Sequence, residues 1–353
     1  MDIFKLLEKT VTAKASDLHL VVGLPPMLRV EGELAPIEMK ALTDEESQAL
    51  VFALLTPEQK DLFLVNRELD FSYDHEGRGR FRINAYHQKG FVSAALRLVP
   101  AEILPIEELN LPKIYHSFAA LRQGFVLVTG PTGHGKSTTL ASIIQEINET
   151  RAVHIVTVED PIEYVYPIGS SIISQRELHS DTHSWEIALR SALREDPDVV
   201  LVGEMRDYET IAAALTIAET GHLVFATLHT NSAAQTIDRI VDVFPEHQQG
   251  QVRLQLSNTL EAVLSQRLLP AISGGRIPVV EILLATPAVR TTVREGKTHL
   301  IDNVIQTSAD IGMQTLESSM AYWVKAGKLS FDVAVQWALR PGELRRLVGG
   351  SKK

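Results

Sequence analysis

The sequence predicts an α/β protein in two parts, a larger parallel-sheet domain preceded by a smaller α+β module. Three observations carry that reading. From Gly124 onward, short apolar runs alternate with helical stretches, as in a parallel sheet covered on both faces. Before Pro100, runs alternating apolar and polar residues are joined by tight turns, as in an antiparallel meander. Within the second part, one strand-to-helix junction reads Gly130-Pro131-Thr132-Gly133-His134-Gly135-Lys136-Ser137, the spacing of a phosphate-binding loop.

The elements follow in order. Asp17–Val22 and Leu28–Val30 read as short extended runs. Thr43–Leu55 reads as a helix, with Thr43 as N-cap and Glu46 three residues on, a capping box. Leu69–Asp74, Arg80–His87 and Phe91–Leu98 form the meander, turned at Glu76–Gly79 and at Lys89-Gly90. This first domain spans 1–99. Residues 100–112 hold three prolines and read as a linker. The second domain, 113–353, offers strands at Phe125–Thr129, His154–Val158, Val199–Val202 and Leu223–Leu228. Helices are expected at Ser137–Asn148, Trp185–Arg194 and Tyr208–Glu219, the last closed by Gly221 as the glycine after the cap. After Pro245 the pattern reads as mostly helical to about residue 340, interrupted by one apolar run, Pro278–Leu284, and the tail from Gly349 reads as mobile.

Composition narrows the function classes. The chain has 353 residues, 45% hydrophobic and 22% charged, which excludes a mainly disordered or fibrous protein. It has no cysteine, which removes disulfides, thiolate zinc sites, iron–sulfur clusters and cysteine nucleophiles. The balance of 34 basic to 44 acidic residues, net −10, argues against nucleic acid as a partner. The N-terminus lacks a signal-peptide pattern, and the longest apolar runs reach about a third of a membrane span. The expectation is a soluble intracellular protein.

The loop carries the first chemistry. Its glycines let backbone N–H groups converge on phosphate oxygens. Lys136 brings a point charge to the β- and γ-phosphates, the Ser137 hydroxyl is suited to Mg²⁺, and the following helix adds its positive end at Thr138. The ligands expected here are a nucleoside triphosphate and Mg²⁺. His134 reads as a solvent-facing variable position.

In an open α/β sheet, ligands bind beyond the carboxyl ends of the strands. Three more polar blocks therefore belong beside the loop: Glu159-Asp160-Pro161 with Glu163, Gly203 through Asp207, and His229-Thr230-Asn231. Carboxylates repel a triphosphate unless a metal ion or a water lies between, so the set suits hydrolysis. Glu204 is the candidate for activating the attacking water and, with Ser137, for the magnesium shell. Glu159 and Glu163 read as site acids or as ordinary loop acids. His229 reads as a γ-phosphate sensor or a structural histidine. His222, at the start of its strand, suits a structural or interface role as well as catalysis. Asp196 and Asp198 precede their strand and fall at the wrong end. His179 and His183 fall in loop and lack a third metal ligand.

If Lys89-Gly90 is a two-residue hairpin loop, Arg82 falls directly opposite Arg97. Like charges so placed are unfavourable. Either the face is solvated or paired with acids of this chain, or the two arginines reach the γ-phosphate of a neighbouring subunit, which requires a ring.

Taken together, Ala15–Leu20, the loop Gly130–Ser137, Val158–Glu163, Arg194–Asp207 and Thr220–Asn231 resemble the secretion ATPase superfamily, most nearly its type IV pilus retraction branch. The resemblance implies a PAS-like N-terminal domain, a RecA-like ATPase domain, and a homohexamer at the cytoplasmic face of the inner membrane. It implies ATP hydrolysis coupled to pilus retraction and twitching motility, against a PilC-like platform protein. It assigns an acidic box at Glu159 and Glu163, the catalytic glutamate at Glu204, a histidine box at His222 and His229, and arginine fingers at Arg82 and Arg97. The family's retraction motif reads here Ala288-Val289-Arg290-Thr291-Thr292-Val293-Arg294-Glu295, with both arginines kept and the middle changed. The alternatives are a PilU-like accessory paralogue, a related secretion or pilus-assembly ATPase, and a nucleotide-binding subunit that does not hydrolyse. A nucleic-acid motor on the same core is disfavoured by the acidity.

Overall fold

A computed structural model describes residues 2–30, 32–75, 77–99 and 102–349. Glu76 of the first expected turn, Pro100 and Ala101 of the proline-rich stretch, and the tail from Gly350 lie outside the described residues. The chain forms two compact units, residues 1–102 with 161–165, and residues 103–160 with 166–353.

The first unit runs α1 (Ile3–Thr12), β1 (Asp17–Leu20), β2 (Met27–Val30), β3 (Glu33–Pro36), α2 (Asp44–Phe52), α3 (Pro57–Asn66), β4 (Glu68–Asp74), β5 (Arg80–Gln88) and β6 (Phe91–Leu98). Its sheet is antiparallel throughout, in the order β3-β2-β1-β6-β5-β4. Thr43 and Glu46 form the capping box of α2. Phe81, Ile83, Leu96 and Leu18 are buried with Leu6 and Leu7 of α1, Leu50 of α2 and Phe63 of α3, so one face of the sheet makes the core. The Lys89-Gly90 turn has φ of 52° and 88°. Two positive φ values match the twist of a two-residue hairpin, and the register puts Arg82 opposite Arg97.

The second unit runs α4 (Tyr115–Ala119), β7 (Gly124–Thr129), α5 (Lys136–Thr150), β8 (His154–Glu159), β9 (Ile172–Glu177), α6 (Trp185–Ala192), β10 (Val199–Val202), α7 (Tyr208–Glu219), β11 (Leu223–Leu228), α8 (Ala233–Asp242), α9 (Glu246–Thr259), β12 (Leu260–Pro270), β13 (Arg276–Leu284), α10 (Pro287–Arg294), α11 (Ile301–Thr307), α12 (Leu316–Lys325), α13 (Phe331–Trp337) and α14 (Pro341–Gly349). The seven strands lie in the order β13-β12-β7-β11-β10-β8-β9. All pairings are parallel except β12 with β13. Successive residues of β7 alternate between two cores. Phe125 and Leu127 pack with Leu215 of α7 and Ile237 of α8, whereas Val126 and Val128 pack with Ile143 and Ile147 of α5. Burial on both faces is why these strands are apolar without alternation. Ile106 and Leu111 of the proline-rich stretch are buried in the second of these cores.

The expectation of a mostly helical chain after Pro245 needs correction. α9 ends at Thr259, and Leu260–Pro270 is an eleven-residue strand paired with β7 on one side and β13 on the other. Leucine, alanine, glutamate and glutamine there are good helix formers. A strand buried on both faces shows no period-two signal, so pattern alone does not separate it from a buried helix. Pairing along both edges decides the outcome.

Candidate functional site

The loop opens after β7 and closes as α5 begins. Gly130, Gly133 and Gly135 take φ of +143°, +78° and +80°, left-handed backbone that other residues resist. Space is also short, since a Cβ on Gly130 would lie 2.2 Å from the Gln266 carbonyl oxygen. Strand β12 therefore walls the loop. Gln266 Oε1 accepts from Thr139 Oγ1 at 2.8 Å, and its amide nitrogen donates to the His134 carbonyl at 2.9 Å. Arg276 Nη1 donates to the Gly133 carbonyl at 3.2 Å. The sequence pattern contained no sign of this wall, because its residues lie far along the chain in the strand read as helix.

His134 does not face solvent as expected. Its Nδ1 accepts from the Leu268 N–H at 3.0 Å, and its ring centre lies 5.6 Å from that of Trp337. Burial, with Arg267, Lys136 and Arg276 nearby, pushes the imidazole pKa down. Nδ1, as an acceptor, carries no proton, and the ring is bonded to the wall strand.

Lys136 is buried at 8% exposure, and its Nζ donates to the carbonyls of Gly130 and Pro131 at 3.0 and 3.1 Å. At 3.4 Å the same nitrogen meets Nδ1 of His229, which follows β11. Thr132 Oγ1 also lies 3.4 Å from that Nδ1. The other ring nitrogen, Nε2, lies 2.9 Å from Glu204 Oε1, which follows β10. Arg206 grips the same carboxylate with Nε 2.8 Å from Oε1 and Nη2 2.8 Å from Oε2. Burial raises the Glu204 pKa, but the hydrogen bond from Arg206, with His229 and the Arg206 charge beside it, more than offsets this, and the carboxyl is held below its usual range. Residues from the ends of three neighbouring strands are thereby joined in one chain of contacts, Lys136–His229–Glu204–Arg206. The sequence signal for the Arg206 clasp is only the i, i+2 spacing from Glu204, just beyond the end of β10.

Glu159 ends β8 and is buried, accepting from Thr157 Oγ1 at 2.8 Å and from Gln175 Nε2 at 3.3 Å. It sits close behind the Glu204 strand, since a Cβ on Gly203 would lie 3.2 Å from Glu159 Cα. Glu163 belongs to the first unit, where its Oε1 lies 4.0 Å from Arg82 Nη1. Arg97 of that unit donates from Nε to Asp17 Oδ1 at 3.0 Å.

His222 and His229 flank opposite ends of β11, seven steps or about 23 Å apart at 3.3 Å per residue. His222 Nδ1 contacts Thr220 Oγ1 and the Ile217 carbonyl, a tie at the end of α7. Asp198 accepts from the His154 N–H at 2.9 Å, at the opposite end of the sheet from the loop. His179 and His183 fall outside helix.

Among the described residues, no group of three or more His, Asp or Glu side chains could hold a metal ion by itself. Mg²⁺ usually keeps water and substrate phosphate as ligands and takes one or two from protein. A hydroxyl in the first turn of α5 at Ser137 fits that demand. Glu204 fits it only after leaving Arg206, because both of its oxygens are bonded.

Residues 102–276 match the family model described as type II/IV secretion system protein. The chain is 47% identical over 341 residues to the type IV pilus retractation ATPase PilT of Pseudomonas aeruginosa, covering 97% of this chain and 99% of that one. It is 38% identical over 349 residues to the type IV pilus ATPase PilU of the same organism, covering 99% and 91%. A crystal structure of the pilus retraction motor PilT with bound ADP superposes with a TM-score of 0.92 at 45% identity, covering 98% and 99%.

Proposed function

The chain belongs to the type II/IV secretion system protein family, and from that premise we propose that it is an ATPase that turns nucleotide hydrolysis into retraction of a type IV pilus, and so into twitching. The single observation that carries the chemistry is the contact chain from Lys136 through His229 to Glu204, at 3.4 and 2.9 Å.

In this reading the N–H groups of Gly130–Ser137 and Thr138 cradle the phosphates, with Pro131, Thr132 and His134 shaping the loop between the glycines. Lys136 exchanges the loop carbonyls for β- and γ-phosphate oxygens. Ser137 would hold Mg²⁺, which, when bound, neutralises charge on the phosphates. Glu204, ionised and aimed by His229 and Arg206, orients the attacking water, a role worth about 10²–10⁴ in rate. His229 touches both Lys136 and Glu204, so it is placed to register whether the γ-phosphate is present. Glu159 and Glu163 form the acidic box. Arg82 and Arg97 serve as fingers toward a neighbouring copy's γ-phosphate, which makes the working assembly a homohexameric ring.

The partner proposed is a PilC-like platform protein of the inner membrane, reached from the cytoplasmic side. Among the described residues no helix is long and apolar enough to cross a membrane. ATP turnover by the parent and by Glu204→Gln tests the enzyme. Deleting the gene and scoring pili tests the direction, since an excess of unretracted pili supports retraction and bald cells overturn it.

One observation favours a PilU-like accessory role. In α10, Val289 and Val293 are buried and Arg290 is consumed internally, binding Glu261 Oε1 at 2.8 Å and the carbonyls of Ser257 and Asn258 at 3.0 Å. The exposed part of the altered retraction motif is Ala288, Arg294 and Glu295, and the changed threonines are half-buried. Restored twitching when this chain alone replaces a retraction motor would reject the accessory role.

A further inference from the structure

Five side chains of the first unit stand in one row across its sheet. The register pairs Arg29 of β2 with Asp17 of β1, Asp17 with Arg97 of β6, Arg97 with Arg82 of β5, and Arg82 with Ser72 of β4. Directly opposed residues project to the same face, so three guanidiniums share the row with a single carboxylate.

Asp17 is treated differently from its neighbours. Its side chain is 13% exposed, against 70% for Arg97 and 41% for Arg82. Oδ1 accepts from Arg97 Nε at 3.0 Å, and Oδ2 accepts from Ser16 Oγ at 2.8 Å. Arg29 Nε stands farther off, 3.8 Å from Oδ2, and its Nη1 donates to the Gly32 carbonyl at 2.7 Å. The carboxylate thus holds Arg97 at one nitrogen, while its other oxygen faces Ser16 and, at ion-pair distance, Arg29. Among the described residues, the two terminal nitrogens of Arg97 make no hydrogen bond. Those two nitrogens form the edge that grips two oxygens of a phosphate side by side.

We propose that Asp17 is a positioning residue for Arg97. By holding Nε, it fixes the rotation of the guanidinium and presents the outer edge to a phosphate. Part of the ordering cost of a long side chain is then met before the anion arrives. The proposal rests on the reading of Arg97 as an arginine finger.

The test is steady-state ATP hydrolysis by the full chain carrying Asp17→Asn, Arg97→Ala, both together, or Arg97→Lys. Asp17→Asn is expected to lower kcat about tenfold, with KM for ATP and affinity for ADP unchanged. Added to Arg97→Ala, it is expected to cost nothing further. Arg97→Lys preserves a charge pair with Asp17 and serves if Asp17→Asn does not fold. One ammonium cannot hold the carboxylate and grip two phosphate oxygens, so kcat should fall as in Arg97→Ala. A parental kcat in Asp17→Asn or in Arg97→Lys, beside a slow Arg97→Ala, overturns the proposal and leaves the finger reading intact. So does an Asp17→Asn loss that multiplies with that of Arg97→Ala. A parental kcat in Arg97→Ala sinks the finger reading and this proposal with it.

Discussion

His229 Nε2 and Glu204 Oε1 meet at 2.9 Å although they follow different strands. β10 and β11 are parallel and in register from Val199 opposite Leu223 to Val202 opposite Ala226, so the residues just beyond them leave the sheet side by side. Glu204→Gln keeps the shape and removes the charge. It is expected to lower phosphate release about 10²- to 10⁴-fold while ADP still binds. Parental turnover in this variant would remove Glu204 from the mechanism.

Arg206 provides a pH test of the same site. Its hydrogen bond is the foremost influence holding the Glu204 carboxyl below its usual range against burial. Without Arg206, burial is opposed less and the carboxyl protonates at higher pH. The acid limb of the kcat profile of Arg206→Ala should therefore lie at higher pH than in the parent. An acid limb that stays in place would show that another group titrates there.

His134→Ser should loosen the wall of the loop. The serine cannot reach the Leu268 N–H as the imidazole does, and a lost hydrogen bond of this kind costs about 1 kcal/mol. The pH sign follows from the lowered pKa. The unfolded chain takes up a proton that the folded ring refuses, so stability is full above the ordinary histidine value near 6.5 and falls as pH drops below it. Thermal unfolding of parent and variant across that range should show a weaker pH dependence in the variant.

Glu281 lies in β13 with 1% exposure, accepts from the Ala233 N–H at 2.7 Å, and is pushed up to about 7, by burial first and by Asp302 among its neighbours. Between the ordinary carboxyl value and about 7, the folded chain holds a proton that the unfolded chain has released. Stability therefore falls as pH rises through that window and stays lowered above it. Glu281→Gln keeps the acceptor for Ala233 and removes the buried charge. Urea unfolding should show a gain of up to roughly 3 kcal/mol near pH 8 and little near pH 4. An equal gain at both values would mean the charge is not the cause.

Legibility in the sequence followed the physics. The loop could be read because its glycines meet a backbone demand at fixed spacing. Arg82 and Arg97 could be paired because Lys89-Gly90 takes positive φ at both positions, which sets a register. The meeting of Lys136, His229 and Glu204 followed from parallel strands ending at one edge. Asp17, Arg206 and Gln266 were not legible, for three reasons. Asp17 reaches Arg97 through the β1–β6 pairing, which no local turn specifies. Arg206 acts through side-chain geometry just beyond a strand. Gln266 lies in a strand whose residues favour helix until β7 and β13 flank it.

The flanking of β12 has a practical consequence for anyone trimming the chain. The family match stops at 276, the first residue of β13. A fragment cut there would keep every motif of the phosphate loop and strip β12 of its outer neighbour. The bare strand would offer an open ladder of N–H and C=O groups to other fragments. Such a piece should clump in the tube, and its poor nucleotide uptake would be mistaken for a defect in the loop.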